Sequence, residues 1–211
     1  VFGEGQRASI GLFAAQLGRK VLVVTDTRME NLPEFRAILD QLDAAGLKHA
    51  TYCGVEAELP VASLDGGVVV GQALDADVVL GIGGGSCLDA AKVIALLLRH
   101  GGRPSDYYGE FKVPGPTLPV IAVPTTSGTG SEATPVAVVS DKDRALKVGI
   151  ASPHLLPHTA ICDPELTYTC PPALTAIAGA DALVHAIEAF TTRPRPADGA
   201  LVHDHVFVGK N

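Results

Sequence analysis

The chain has 211 residues, of which 47% are hydrophobic, enough for a sizeable core in one large domain or in one domain and part of a second. The formal net charge is −7, the basic residues are scattered and aromatic residues make up 5% of the chain, which argues against a nucleic-acid-binding surface. No uninterrupted apolar run approaches the roughly 18 to 20 residues that cross a bilayer, and the four cysteines form no C-x-x-C pair, so we expect a soluble cytoplasmic protein with reduced thiols and no membrane partner.

Apolar β-branched runs alternate with helical segments over the first hundred residues. Segments 20–26 (KVLVVTD) and 77–83 (DVVLGIG) are typical of strands buried on both faces, and segment 48–53 is a weaker strand. The spacing of apolar residues predicts helices at 32–46, 60–74 and 86–99. Strands that alternate with helices indicate βαβ units, so the sequence predicts an α/β protein with a doubly wound parallel sheet.

The pattern changes beyond residue 100. We predict a strand at 118–125, a hairpin formed by 134–141 and 145–152, and a short strand at 159–163. Two prolines directly after Cys170 mark a boundary, and the sequence that follows it is helical.

Glycines join the predicted strand 77–83 to the predicted helix 86–99 in the sequence GIGGGSCLDAAK, and we call residues 83–86 the glycine loop. Such a turn lets the backbone approach a diphosphate, which the amides and the dipole of a helix N-terminus stabilise. Ser86 and Asp89 form an S-x-x-D pattern that predicts a capping box. The simpler interpretation is a glycine-rich turn with that capping box, because the loop lacks both G-x-G-x-x-G spacing and a following G-K-[ST].

A second polar segment, PTTSGTGSE at 124–132, follows the predicted strand 118–125, and we call it the hydroxyl loop. Its five hydroxyl side chains and two glycines suit ribose and phosphate oxygens, although such a segment is more often a simple polar turn.

Asp26 ends the first predicted strand, where open α/β sheets bind ligands and where a carboxylate can accept from a ribose hydroxyl. The alternative for Asp26 is an ordinary helix N-cap.

The segment GADALVHAIEAF at 179–190 places three ionisable side chains, Asp181, His185 and Glu188, on one face of an apolar helix. A carboxylate and an imidazole four residues apart can bind one metal ion. The alternative for Asp181 and His185 is a pair of ordinary helix residues with satisfied hydrogen bonds. For Glu188 we favour a packing carboxylate or a partner of a metal ligand over a ligand itself.

The glycine loop, the hydroxyl loop and the D-x-x-x-H helix, in that order, resemble the group III, iron-dependent alcohol dehydrogenase family. The similarity also covers the segments GEGQRASIG, GVEAELP and CDPELTYTCPP. The resemblance implies an α/β dinucleotide-binding domain, here residues 1–166, followed by the beginning of an all-helical metal-binding domain, here residues 167–211. It also implies NAD(P) in the cleft between the two domains and one divalent metal held by helical side chains.

The resemblance also implies roles for individual residues. Gly83, Gly84, Gly85 and Ser86 match the diphosphate-binding loop, and Thr125, Thr126, Ser127 and Thr129 match the loop that lines the nicotinamide ribose. Asp26 matches the position that favours NAD over NADP, and Lys147 matches a lysine that reaches the cofactor. Asp181 and His185 match two of the four metal ligands and would be the catalytic pair. The family's other two ligands are histidines several dozen residues further on, so we expect this chain to lack part of the helical domain.

The implied activity is that of an NAD(H)-dependent alcohol dehydrogenase or aldehyde reductase acting on a small alcohol or aldehyde. The metal, Fe²⁺ ahead of Zn²⁺, would act as a Lewis acid on the substrate oxygen while hydride passes to or from nicotinamide C4. Family members are commonly dimers or larger oligomers. Two alternatives stay open: a relative that uses NAD without net oxidation, as dehydroquinate synthases do, and a catalytically silent NAD-binding fragment that needs its helical half or a partner. His203 and His205 are better explained by a polar loop than by metal binding.

Overall fold

A computed structural model describes residues 1–142 and 146–191 of the chain. Within these residues the helices are α1 (Ile10–Leu17), α2 (Thr27–Glu30), α3 (Pro33–Ala44), α4 (Ala62–Leu74), α5 (Gly85–His100) and α6 (Pro172–Thr191). The strands are β1 (Lys20–Val24), β2 (Lys48–Tyr52), β3 (Val78–Gly83), β4 (Gly109–Glu110), β5 (Val120–Pro124), β6 (Val136–Asp141), β7 (Leu146–Ala151) and β8 (Thr159–Ala160).

Five strands form the main sheet in the order β2-β1-β3-β5-β8, and every neighbouring pair is parallel. All six residues of β3 and four of the five residues of β1 are buried, as expected for apolar runs covered on both faces. The predicted α/β fold with a parallel sheet is therefore confirmed. Because the strands run in one direction, the carboxyl ends of β1, β3 and β5 lie at the same edge of the sheet.

Helices cover both faces of the main sheet, and alternate residues of β1 pack against them. Leu22 and Val24 lie in a buried cluster with residues of α4 and α5, such as Ile94. Val21 and Val23 lie in the cluster on the opposite face, with residues of α1 and α3, such as Ile38. This alternation follows from the two-residue repeat of a strand, and it fixes α5 directly behind the ends of β1 and β3.

A second, three-stranded sheet has the order β4-β7-β6. Strands β6 and β7 pair antiparallel, with Val136 opposite Ala151, so the predicted hairpin is confirmed. The short β4 pairs parallel with β7 and was not predicted from the sequence, because a two-residue strand has no periodicity. Helix α1 was not predicted either, because its eight residues are mostly apolar on all sides and show no amphipathic spacing.

Helix α6 follows the last strand of the main sheet and contains no buried residue. Its exposed apolar side chains include Ile177, Leu183, Ile187 and Phe190. Among the described residues it is also the one helix whose length and composition would allow it to cross a membrane, although core helices of soluble proteins have the same properties. The predicted domain boundary after residue 166 lies between β8 and α6, and the division into two domains stays a prediction.

Candidate active-site cleft

A cleft of about 1820 Å³ opens at the carboxyl ends of β1, β3 and β5, where open α/β sheets bind their ligands. Both loops singled out in the sequence line it, together with the segment after β1, one residue of β7 and one side of α6. Of the predicted site residues, ten line the cleft: Asp26, Gly84, Gly85, Ser86, Thr125, Thr126, Thr129, Lys147, Asp181 and His185. Gly83, which is buried, and Ser127, which is exposed, do not line the cleft.

The glycine loop needs its glycines for backbone geometry and for space. Gly83 has a φ of 144°, which side-chain-bearing residues rarely adopt, and a Cβ on it would lie 2.6 Å from Cys87 Sγ. A Cβ on Gly85 would lie 2.7 Å from Thr129 Cγ2. The glycine loop and the hydroxyl loop are therefore in direct contact, and a methyl group at Gly85 would push them apart.

The start of α5 differs from the predicted capping box. The helix begins at Gly85, its N-cap residue is Gly84, and no side chain caps it. The capping-box prediction for Ser86 and Asp89 is therefore wrong, because the N-cap lies two residues before Ser86 and Asp89 binds Ser131 and Val138. The uncapped N-terminus of a 16-residue helix leaves its first amides and the positive end of its dipole directed at the cleft.

Thr125 holds a buried hydroxyl group in the wall of the cleft. Its backbone amide donates to the carbonyl oxygen of Gly83 at 2.9 Å, which fixes the start of the hydroxyl loop beside the glycine loop. Thr125 is 1% exposed, and its Oγ1 atom has no hydrogen-bond partner within the part of the chain that the structure describes. A buried hydroxyl without a partner is costly, so this position suits a polar ligand atom.

Asp26 performs the N-cap role that was the alternative to a ligand role. Its Oδ1 atom accepts from the backbone amide of Met29 at 2.7 Å, at the start of α2. Its Oδ2 atom lies 3.7 Å from Cys87 Sγ, and burial, followed by the charge of Asp26, raises the pKa of that thiol. Asp26 is only partly buried and lines the cleft, so capping α2 leaves the carboxylate available to a ligand.

Asp181 and His185 lie one turn apart on the side of α6 that faces the cleft. The Asp181 Oδ1 and His185 Nε2 atoms are 3.7 Å apart, and their side chains are 41% and 51% exposed. Glu188 does not line the cleft. Nowhere in residues 1–142 and 146–191 do three or more His, Cys, Asp or Glu side chains form a group that could hold a metal ion. His203 and His205 lie outside the described residues.

Lys147 reaches the cleft from β7 and forms an ion pair with Glu58, which also lines the cleft. Glu58 and Leu59 both have positive φ values, 64° and 47°, which are uncommon for residues other than glycine. Ser140 holds this strained turn, because its hydroxyl donates to the carbonyl oxygen of Glu58 and its amide donates to that of Leu59.

Sequence reasoning missed a buried polar cluster that joins α5 to the end of the hydroxyl loop. Lys92 is fully buried and contacts Ser131, which in turn contacts Asp89. Burial lowers the pKa of Lys92 and raises that of Asp89, while the opposite charge of each partner counteracts the shift. The available signal was a lysine between Ala91 and Val93, within the apolar part of a helix predicted to pack against a sheet.

Comparison with known proteins identifies the family to which the chain belongs. The family model described as iron-containing alcohol dehydrogenase matches residues 1–164. A sulfoacetaldehyde reductase of Bilophila wadsworthia is 39% identical over 173 residues, covering 82% of this chain and 45% of the relative. An NAD-dependent methanol dehydrogenase of Bacillus methanolicus is 37% identical over 194 residues, covering 92% of this chain and 51% of the relative.

Solved structures give the same result. The crystal structure of sulfoacetaldehyde reductase from Bifidobacterium kashiwanohense in complex with NAD+ superposes with a TM-score of 0.79 at 32% identity, covering 90% of this chain and 50% of that one. The chain thus spans about half the length of the relatives it matches. Because the family model matches residues 1–164, well over half of the chain, the chain belongs to the iron-containing alcohol dehydrogenase family.

Proposed function

We propose that the chain is the cofactor-binding part of an NAD(H)-dependent, divalent-metal-dependent alcohol dehydrogenase or aldehyde reductase that acts on a small alcohol or aldehyde. One observation carries the proposal: a single cleft is lined by the glycine loop, the hydroxyl loop, Asp26, Lys147 and the Asp181/His185 pair. The predicted division at residue 166, a cytoplasmic location and a homo-oligomer of two or more copies belong to the same proposal.

The cleft fits a dinucleotide in three respects. Gly84 and Gly85 leave room for a diphosphate at the uncapped N-terminus of α5. The unpartnered Thr125 Oγ1 atom and the partly exposed hydroxyls of Thr126 and Thr129 offer donors and acceptors to a ribose. Asp26, at the far side of the glycine loop, would accept from a ribose hydroxyl and repel a 2′-phosphate, which supports NAD over NADP.

Asp181 and His185 fit a divalent metal in their chemistry but not in their number. A carboxylate oxygen and an imidazole nitrogen suit Fe²⁺ as well as Zn²⁺. A protein-bound metal of this kind needs three or four protein ligands, and the described residues supply two. The remaining ligands would come from outside the described residues, as the predicted helical domain would provide them.

The residues of the chain have distinct tasks in this proposal. The amides of the glycine loop would hold the diphosphate, and Thr126 and Thr129 would orient the ribose that carries the nicotinamide. Lys147 would exchange its ion pair with Glu58 for a contact with the cofactor, and Asp181 and His185 would supply two ligands to the metal. When bound, the nicotinamide supplies a hydride acceptor or donor and the metal supplies Lewis-acid stabilisation of charge on the substrate oxygen.

The proposal is tested by turnover and by cofactor binding measured side by side. In the full-length enzyme, NADH formation from small alcohols should require Fe²⁺ or Zn²⁺ and should stop on chelation. Asp181→Ala should lower kcat/KM at least about a hundredfold and leave the Kd for NADH within about twofold, because it removes a metal ligand and no cofactor contact. Asp40→Ala, which removes an exposed carboxylate of α3 outside the cleft, is the control and should keep its activity. Turnover that survives both chelation and Asp181→Ala would contradict the metal-dependent reaction.

A second candidate function rests on α6. Its apolar side chains are exposed and its metal-ligand pair is incomplete among the described residues, which favours an NAD-binding unit that has no activity of its own. In that case the 211-residue chain would bind NADH yet give no turnover with any metal. The full-length protein distinguishes the candidates, since metal-dependent NADH turnover supports the dehydrogenase, whereas NADH binding without turnover supports the silent unit.

A further inference from the structure

A lysine ammonium group is buried where α5 packs against residues 131–136, which comprise the end of the hydroxyl loop and the segment that follows it. Lys92 is 0% exposed, and its Nζ atom donates to Ser131 Oγ at 2.8 Å, to the carbonyl oxygen of Val136 at 2.7 Å and to that of Thr134 at 3.0 Å. These three bonds use all three hydrogens of the ammonium group. Lys92 therefore has no donor left for a ligand, and its role must act through the residues that it holds.

The carboxylate one helical turn away completes the cluster. Asp89 accepts from Ser131 Oγ at 2.6 Å and from the backbone amide of Val138 at 2.9 Å, and its Oδ1 atom lies 3.5 Å from Lys92 Nζ. Both charges sit on the helix that begins in the glycine loop, and every partner outside that helix belongs to residues 131–138. The pair thus joins α5, which begins in the glycine loop, to the end of the hydroxyl loop and to the segment that follows it.

Ser131 lies at the centre of the cluster with its hydroxyl group fully used. Its oxygen accepts from Lys92 and its hydrogen goes to Asp89, so the side chain has one orientation. The backbone amide of Ser131 donates to Thr129 Oγ1 at 3.2 Å. Thr129 Oγ1 accepts this bond and keeps its own hydrogen as a donor, and Thr129 lines the cleft.

We propose that Ser131 is a positioning residue for the cofactor, an inference that rests on the proposed NAD-dependent function. The Lys92–Asp89 pair holds Ser131, and Ser131 holds Thr129 against Gly85, where the two loops touch. The cluster thereby sets the distance between the wall that takes the diphosphate and the wall that takes the nicotinamide ribose. Apolar residues of the same volume could fill this space with equal stability, but they would not fix the orientation of the loop.

This role predicts different effects on two ligands. ADP contains the part of the cofactor that the glycine loop and Asp26 would bind, whereas NADH also contains the nicotinamide ribose beside Thr129. We expect Ser131→Ala to raise the Kd for NADH about tenfold and to weaken the NADH fluorescence enhancement, while the Kd for ADP changes by less than about twofold. Ser131→Thr, which keeps the hydroxyl, should restore most of the NADH affinity.

Ser63→Ala is the matched control, because Ser63 is also a buried serine whose hydroxyl donates one hydrogen bond, to the carbonyl oxygen of Pro60, but it does not line the cleft. It should bind both ligands as the wild type does, and urea unfolding confirms that each variant is folded. Equal losses of NADH and ADP affinity in Ser131→Ala, or no loss of either, would overturn the positioning role. A wild-type chain that binds no NADH would instead contradict the proposed function, and the inference with it.

Discussion

Gly85 is the residue at which the two walls of the cleft come closest. The nearest atoms to a Cβ at this position would be Thr129 Cγ2 at 2.7 Å and Thr129 Oγ1 at 3.1 Å, so even a methyl group displaces Thr129. The backbone of Gly85 is ordinary first-turn helix, which alanine adopts more readily than glycine. Replacing Gly85 by alanine should therefore weaken cofactor binding without lowering the free energy of unfolding.

We expect Gly85→Ala to raise the Kd for NADH about tenfold and to leave the free energy of unfolding unchanged or slightly higher. NADH fluorescence titration and urea unfolding measure the two quantities. Gly149→Ala is the control, because a Cβ there has nothing within 4 Å. A Gly85→Ala variant that binds NADH like the wild type would show that contact between the loops has no part in cofactor binding.

Single residues also show where prediction from sequence ends. The composition of PTTSGTGSE predicted a wall of hydroxyl groups, but it gave Ser127, which does not line the cleft, the same weight as Thr126, and it left Ser131 unassigned. The orientation of a side chain in a loop depends on partners that are distant in sequence. For Ser131 these partners are Asp89 and Lys92, which lie about forty residues away on α5.

The elements that were predicted best are those with a strong local signal. β1 and β3 are continuous β-branched runs, and α5 has a long apolar stripe, so their observed bounds differ from the predicted ones by only one or two residues. The exact start of α5 was wrong because a glycine at the N-cap position carries no side-chain signal. Because the N-cap is Gly84, Ser86 lies in the first turn of α5 and lines the cleft instead of capping the helix.

Helix α6 contrasts with α5, although both are long and apolar. Ten residues of α5 are buried and none of α6. The contact of α6 with the rest of the chain includes Gly128, where a Cβ would lie 2.8 Å from the carbonyl oxygen of Ala178. Few buried contacts mean a low free energy of local opening, so α6 should be the least protected long helix.

We expect the backbone amides of α6 to exchange with deuterium at least about a hundredfold faster than those in the middle of α5. Hydrogen exchange followed by mass spectrometry measures both helices in one experiment, with α5 as the internal control. Equal protection of the two helices would contradict the expectation and would mean that another surface covers α6.

At the scale of the whole molecule, Asp163 joins the beginning of the chain to the segment after β8. Its side chain is fully buried and accepts from the backbone amides of Gly5, Arg7 and Glu165 and from the guanidinium of Arg7 at 2.9 Å. Burial by itself would raise the pKa of Asp163, but the amides and the guanidinium outweigh it and lower the pKa. The ionised form is thus the one that the fold stabilises.

We expect Asp163→Asn to lower the free energy of unfolding at pH 7 by about 2 kcal/mol, because the new amide nitrogen faces donors. A lowered pKa in the folded state stabilises the fold above the ordinary aspartate pKa of about 3.9, and this contribution is lost as the pH falls below it. The difference between wild type and variant, measured by urea unfolding, should therefore shrink between pH 5 and pH 3.

Asp75→Asn is the control for that measurement, since Asp75 forms an exposed ion pair with Lys20. It should change the free energy of unfolding very little at any pH. A constant difference between wild type and Asp163→Asn from pH 7 to pH 3 would show that the charge of Asp163 makes no contribution.

The assembly of the cleft was predictable in outline and not in detail. A parallel sheet brings the ends of β1, β3 and β5 to one edge, so the segments that follow them meet there whatever their sequence. The arrival of Lys147 from the second sheet, and its pairing with Glu58, could not be read from spacing. Both depend on how β7 and the turn at Glu58 pack in three dimensions.

The link between residues 5–7 and Asp163 also imposes an order on the folding of the chain during its synthesis. The two partners are separated by more than 150 residues, so residues 5–7 are synthesised well before the acceptor that fixes them. Until Asp163 emerges, the amides of Gly5 and Arg7 lack their acceptor, and the edge of the sheet beside β5 stands open. The growing chain therefore passes through a stage in which this edge is exposed to pairing with a neighbour.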